Sequence, residues 1–97
     1  MFEIRFSPPA FRFFKKLKDK KLKELFKNAI NEISKNPYIG EPKKGDLTGI
    51  YGYDVYYHGT NYEIAYVIKS YDAENIVIII MAGTRKNFYN QLKNYWL

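Results

Sequence analysis

The spacing of apolar residues changes period along the chain, and each change marks an element. Phe2, Ile4 and Phe6 alternate with Glu3 and Arg5, the period of two that belongs to a strand. Ser7-Pro8-Pro9 then reads as a helix N-cap followed by first-turn prolines, where a missing N–H costs nothing. Phe11, Phe14 and Leu17 form the stripe of a short first helix. Leu22, Leu25, Phe26, Ala29, Ile30 and Ile33 follow a 3.6-residue period, and Asn36-Pro37 ends this second helix. Lys18–Lys21 is too polar to pack and is predicted to be the turn between the two.

Beyond a loop carrying Pro37, Gly40, Pro42 and Gly45, the pattern turns to strands. One is predicted from Ile50 to Tyr57, a turn at His58-Gly59-Thr60-Asn61, and the next strand over Tyr62–Lys69. A second turn at Asp72–Asn75 leads to Ile76–Ala82, whose unbroken apolarity fits a central strand covered on both faces. Thr84 is placed to cap a last helix with Phe88, Leu92, Tyr95 and Trp96 on its apolar side. The order β-α-α-β-β-β-α makes an α+β fold: an antiparallel-rich sheet with an N-terminal helical hairpin on one face and a C-terminal helix. Repeats, linkers and low-complexity segments are missing, and 97 residues suit a single domain over 1–97.

Composition narrows the chemistry. With no cysteine there is no disulfide and no thiolate, which fits a reducing compartment, and one histidine excludes a His/Cys metal site. The acids show no metal-ligand spacing, and no nucleotide loop or serine elbow is present, so neither a metal nor a cofactor is expected. The start Met1-Phe2-Glu3-Ile4-Arg5 lacks an apolar signal region, and Ile76–Ala82 is far too short to span a bilayer; a soluble, cytoplasmic protein without membrane partners is expected. Charge is uneven. Up to Lys27 there are nine Lys/Arg against three Asp/Glu, a surplus of six, whereas Asn28–Leu97 carries seven of each. Such asymmetry suits either a polyanionic or acidic partner or a solvated lysine-rich helix face.

One constellation follows from strand geometry. If Val55 and Tyr57 point into the core, Asp54, Tyr56 and His58 share the opposite face, and Glu63 and Ala65 of the next strand match it. Arg85, at the end of the last strand, projects over the same concavity. Metal-free RNA cleavage needs a base for the 2′-hydroxyl proton, an acid for the leaving oxygen and a cation on the phosphate. Glu63 or Asp54, with His58 and Arg85, supplies these types, while Tyr56 and Tyr89 offer stacking or phosphate contacts. An ordinary half-exposed sheet face with a turn histidine has the same residues.

Leu47-Thr48-Gly49-Ile50, Tyr53-Asp54-Val55-Tyr56-Tyr57, Asn61-Tyr62-Glu63-Ile64-Ala65-Tyr66, the Ile76–Ala82 run and Gly83-Thr84-Arg85-Lys86-Asn87-Phe88-Tyr89 stand in an order and separation that resembles the toxins of the RelE/ParE superfamily of type II toxin–antitoxin systems. The resemblance covers most of the chain, as a single RelE-like toxin domain. It implies a ribosome-dependent endoribonuclease (an mRNA interferase) that cuts mRNA in the A site and inhibits translation, with the ribosome, its mRNA and a cognate antitoxin as partners. The alternatives are a ParE-like inhibitor of DNA gyrase and a non-catalytic, antitoxin-binding member. Arg85 and Tyr89 stand where the family carries its arginine and late tyrosine. His58, Lys43, Lys44 and Lys86 are further RNA contacts on this reading, and Lys15, Lys16, Lys20 and Lys23 a backbone-binding helix face. The chain departs from the family pattern where an arginine often follows the tyrosine opening the third strand: here it is Glu63, and the preceding strand has Asp54 and Tyr56 in place of basic residues. Glu63 or Asp54 would then be the base.

Overall fold

The computed structural model describes residues 1–97, the side chain of Asn87 excepted. Strand β1 (Glu3–Phe6) leads into helices α1 (Pro8–Lys16) and α2 (Lys20–Lys35). A two-residue strand β2 (Glu41–Pro42) lies between the 3₁₀ turns Pro37–Ile39 and Gly45–Leu47. Then come β3 (Tyr51–Tyr57), β4 (Thr60–Tyr71), β5 (Glu74–Thr84) and helix α3 (Arg85–Trp96). The strands form one sheet in the order β1-β5-β4-β3-β2, with β1 parallel to β5 and every other pair antiparallel. This is the expected α+β architecture.

The helical hairpin starts as the sequence indicates. The Ser7 hydroxyl accepts from the Ala10 amide at 3.2 Å and donates to the Ile80 carbonyl at 2.6 Å, so the cap of α1 also ties it to β5. Asp19 caps α2 by accepting from the amides of Lys21 and Leu22 at 3.0 and 3.1 Å. That cap shortens the turn predicted over Lys18–Lys21, because α2 already begins at Lys20. Ala10, Leu22, Phe26, Ala29 and Ile33 pack on Val55, Ile64, Tyr66, Val77 and Ile79. Within this layer Phe13, Phe14 and Phe26 meet edge-to-face at 5.3–5.5 Å, and Phe26 meets Tyr62 at 5.6 Å, the arrangement aromatic quadrupoles favour. Phe13 takes the place expected for Phe11, which is exposed, and Leu25 lies at the helix margin.

Both hairpins are tighter than expected, and β4 and β5 correspondingly longer. Tyr57 pairs with Thr60 across His58-Gly59, and Tyr71 with Glu74 across Asp72-Ala73. All four loop residues have positive φ, between 48° and 74°, which matches the right-handed twist of the flanking strands and lets pairing run to the turn. Strand β2 was not foreseen. It sits at the sheet edge, where Pro42 needs no ladder N–H.

The Tyr66 hydroxyl fixes the loop before β2: it donates to the Pro37 carbonyl at 2.6 Å and accepts from the Gly40 amide at 3.0 Å. Burial pushes this phenol up to about 12, the Gly40 hydrogen bond opposing. A side chain at Gly40 would collide with that hydroxyl. On the opposite face of the sheet, Phe88 and Leu92 of α3 close over Leu47, Ile50, Ala65, Val67, Ile80 and Met81, so β5 is covered on both sides. Thr84 occupies the N-cap position of α3 but its side chain makes no capping bond, and Tyr95 and Trp96 remain exposed rather than joining the apolar side. Among the described residues no helix is long and apolar enough to cross a membrane.

Candidate active site

Helix α3 covers only part of its sheet face. The strand alternation leaves Gly52, Asp54 and Tyr56 of β3 pointing the same way as Glu63 of β4, with Asp54 directly opposite Glu63 and Glu63 opposite Gly83 of β5. Arg85, the first residue of α3, follows β5 directly and so stands over this row. Lys43 arrives from a different direction. It follows β2, its amide donating to the Ile50 carbonyl at 2.8 Å, and its side chain passes over Gly52. A Cβ at position 52 would strike the Glu63 carboxylate and the end of Lys43, so glycine there leaves the slot in which these two meet.

The charges in this concavity are matched but not equally held. The Lys43 ammonium is 2.6 Å from Glu63 Oε2 and donates to the Tyr89 hydroxyl at 2.7 Å, lying 4.8 Å from the centre of that ring. Arg85 is more distant from its acids, 3.6 Å from Asp54 Oδ2 and 3.7 Å from Glu63 Oε1. Burial separates the two carboxylates. Glu63 is 1% exposed, whereas the Asp54 side chain is 37% exposed and that of Arg85 47%. Neither Glu63 oxygen has a well-directed hydrogen-bond donor among the described residues, so the contact with Lys43 is an ion pair rather than an aligned hydrogen bond.

Burial pulls the Lys43 ammonium down, but Glu63 and Tyr89 outweigh it and hold Lys43 above the ordinary lysine value. The Asp54 carboxylate, then Tyr89, hold Arg85 above the usual guanidinium value. Both cations are therefore protonated at neutral pH. A cleft of about 660 Å³ adjoins the cluster, between the Glu41–Leu47 segment and α3, lined by Lys43, Lys44, Tyr89 and Lys93 among others. A buried cation, a half-exposed cation, an open carboxylate and a phenol share this concavity, groups whose chemistry can contact a phosphate and move protons.

The family model described as "ParE-like toxin of type II bacterial toxin-antitoxin system" matches residues 4–93. The chain belongs to this toxin family. None of the curated proteins matches it. Among solved structures, the YoeB/ParE toxin from Agrobacterium tumefaciens is similar with a TM-score of 0.73 at 16% identity, covering 87% of this chain and 99% of that one. The toxin–antitoxin complex RelBE2 from Mycobacterium tuberculosis gives 0.64 at 27% identity, covering 87% and 98%. A mutant E. coli toxin RelE in the free state gives 0.72 at 19% identity, covering 99% and 98%. The toxin thus has the RelE-like fold as well as the family's sequence pattern.

Of the residues singled out from the toxin's sequence, Arg85, Tyr89, Glu63, Asp54 and Lys43 come together, and Tyr56 stands exposed on the same face of β3. His58 does not join them. It sits in the β3–β4 turn, four residues past Asp54 and so roughly 13 Å along the strand. There it packs edge-on against Tyr57 at 4.2 Å. Tyr57 in turn donates to the Asp19 carboxylate at 2.9 and 3.0 Å, joining the turn to the cap of α2. Lys15, Lys16, Lys20 and Lys23 are exposed on the helical hairpin, across the sheet from Arg85, while Lys44 and Lys86 are exposed beside the cluster. What sequence reasoning missed is the Lys43–Glu63–Tyr89 contact. The sequence reading places Lys43 among the RNA contacts, not against Glu63, and the one available signal for that contact is Gly52, a glycine inside a strand.

Proposed function

We propose that this toxin is a ribosome-dependent endoribonuclease that cleaves mRNA in the A site without a metal, inhibiting translation, and that a cognate antitoxin is its partner. The observation that carries the reading is the open Asp54 carboxylate beside Arg85 at 3.6 Å, next to a phenol held by Lys43. In the reaction Asp54 takes the proton of a ribose 2′-hydroxyl, whose oxygen forms a bond to the neighbouring phosphorus as the bond to the 5′-oxygen breaks. Arg85 faces the charge that develops on the phosphoryl oxygens. The Tyr89 oxygen accepts from Lys43, so its own proton points outward to the departing 5′-oxygen. The products are a 2′,3′-cyclic phosphate and a free 5′-hydroxyl. Between the two carboxylates, exposure favours Asp54 as base, because Glu63 is sealed beneath Lys43.

The ribosome as the place of cleavage rests on likeness to RelE. The antitoxin rests on relatives solved with theirs: the intact E. coli RelBE complex, and mutant E. coli RelE with a RelBc antitoxin peptide. The test is cleavage-site mapping on programmed ribosomes with the purified toxin and its Asp54→Asn variant. We expect cuts within the A-site codon from the wild type and a rate loss of about 10²–10⁴ for the variant. A second reading, ParE-like inhibition of DNA gyrase, is favoured by the pairing of both cations with carboxylates, which leaves the concavity without surplus positive charge for a polyanion. Intact mRNA together with blocked supercoiling would establish it instead.

A further inference from the structure

Glu63 is a carboxylate with almost no exposure, no directed donor on either oxygen, and two cations within reach: Lys43 at 2.6 Å and Arg85 at 3.7 Å. A buried anion of this kind takes whatever cation is nearest, because an uncompensated charge in a poorly solvated site is among the costliest arrangements a fold can carry. Lys43 reaches it from outside the β3–β4 pair through the slot left by Gly52, and its side chain is only 12% exposed. Arg85 stays at the surface in two loose contacts.

We infer that Lys43 is a positioning residue for Arg85: by serving as the permanent counter-ion of Glu63, it leaves the Arg85 guanidinium at the mouth of the concavity, free to exchange its loose contacts for a phosphate. Without Lys43, Arg85 is the only other cation within 4 Å of Glu63 among the described residues. It would be drawn inward to replace the lost partner and withdrawn from the substrate. The long Arg85 contacts are then functional: a guanidinium already locked in a bidentate pair would have to break that pair before it could bind RNA. Gly52 belongs to the same device, since any side chain there would push Lys43 off Glu63.

This inference rests on the nuclease reading for its activity readout, and the test separates the two. Single-turnover cleavage on programmed ribosomes is measured for the wild type, Lys43→Met, and Lys43→Met combined with Glu63→Gln, with a thermal melt of each. Lys43→Met is expected to lose about a hundredfold in rate, approaching the loss on removing an oriented charge-stabilising group. The double variant, still lacking Lys43, should recover at least tenfold of it, on the order of one such unit of coupling. A double variant as slow as the single one would overturn the inference and make Lys43 a direct RNA ligand. If Lys43→Met does not fold, the double variant, which carries no uncompensated charge, decides alone: a rate within about tenfold of wild type supports the inference, and a hundredfold loss overturns it. A wild type that cleaves nothing removes the nuclease reading but not the positioning test. In that case proton exchange at Arg85 Nε, followed by NMR, should slow in Lys43→Met and return in the double variant; unchanged exchange would refute the role of Lys43.

Discussion

On one face of the sheet, α1 and α2 seal a layer of Phe13, Phe14, Phe26 and Tyr62 in which aromatic edges meet faces. On the other, α3 covers Ile50, Ala65, Val67 and Met81 but leaves Asp54 and Tyr56 open, with its own first residue, Arg85, at their rim. The two faces share strands and alternate residue by residue, yet one carries a carboxylate at 1% exposure and the other aromatic hydrocarbon. The difference teaches where this toxin places its costs. The helix-covered face gains stability from apolar burial, while the partly covered face accepts a buried ion pair, which contributes little net stability but fixes the geometry of charges around an open rim.

Four substitutions break or sharpen that contrast. Phe26→Ala removes the centre of the aromatic layer and should cost about 3–5 kcal/mol, read from the denaturant midpoint. The fraction that remains folded should keep its activity per molecule; a specific loss of activity would mean the two faces are coupled. Arg85→Ala works in the opposite sense. Cleavage should fall by about two to three orders of magnitude, while stability stays within about 0.5 kcal/mol because the side chain is nearly half exposed. Full toxicity of a soluble Arg85→Ala protein would remove that residue from the site.

Tyr66→Phe probes the join between the helical layer and the loop that delivers Lys43. It leaves the Gly40 amide and the Pro37 carbonyl without their partner, at about 1–3 kcal/mol. The same phenol sets a pH dependence. Its folded value, about 12, lies above the ordinary 10, so the native state holds the proton where the unfolded chain has lost it. That contribution is complete below pH 10 and is lost as pH rises from 10 towards 12, so Tyr66→Phe should flatten the alkaline limb of a stability profile. The smallest effect is expected at the helical hairpin. Neutralising Lys15, Lys16, Lys20 and Lys23 together should leave folding unchanged and lessen the salt dependence of ribosome binding, by up to roughly one unit of slope per lost phosphate contact. An unaltered slope would mean this basic face is solvated only.

The sequence by itself determined the elements and their order. Ser7-Pro8-Pro9 and Asn36-Pro37 bounded the helices because a cap and a proline act through the backbone at their own position, and the even–odd alternation in β3 and β4 put Asp54 and Glu63 on one face. It also placed Arg85 at the head of α3 and marked the chain's membership of its toxin family. Tertiary structure decided the rest. The two-residue turns lengthened β4 and β5, and the edge strand β2 brought Lys43 across Gly52 to a carboxylate twenty residues further along the chain. No local pattern encodes such a contact. Which cation answers a buried carboxylate depends on the distance between segments that only the folded sheet brings together, and charge interactions, unlike periodicity, are set by that distance and by the water excluded around it.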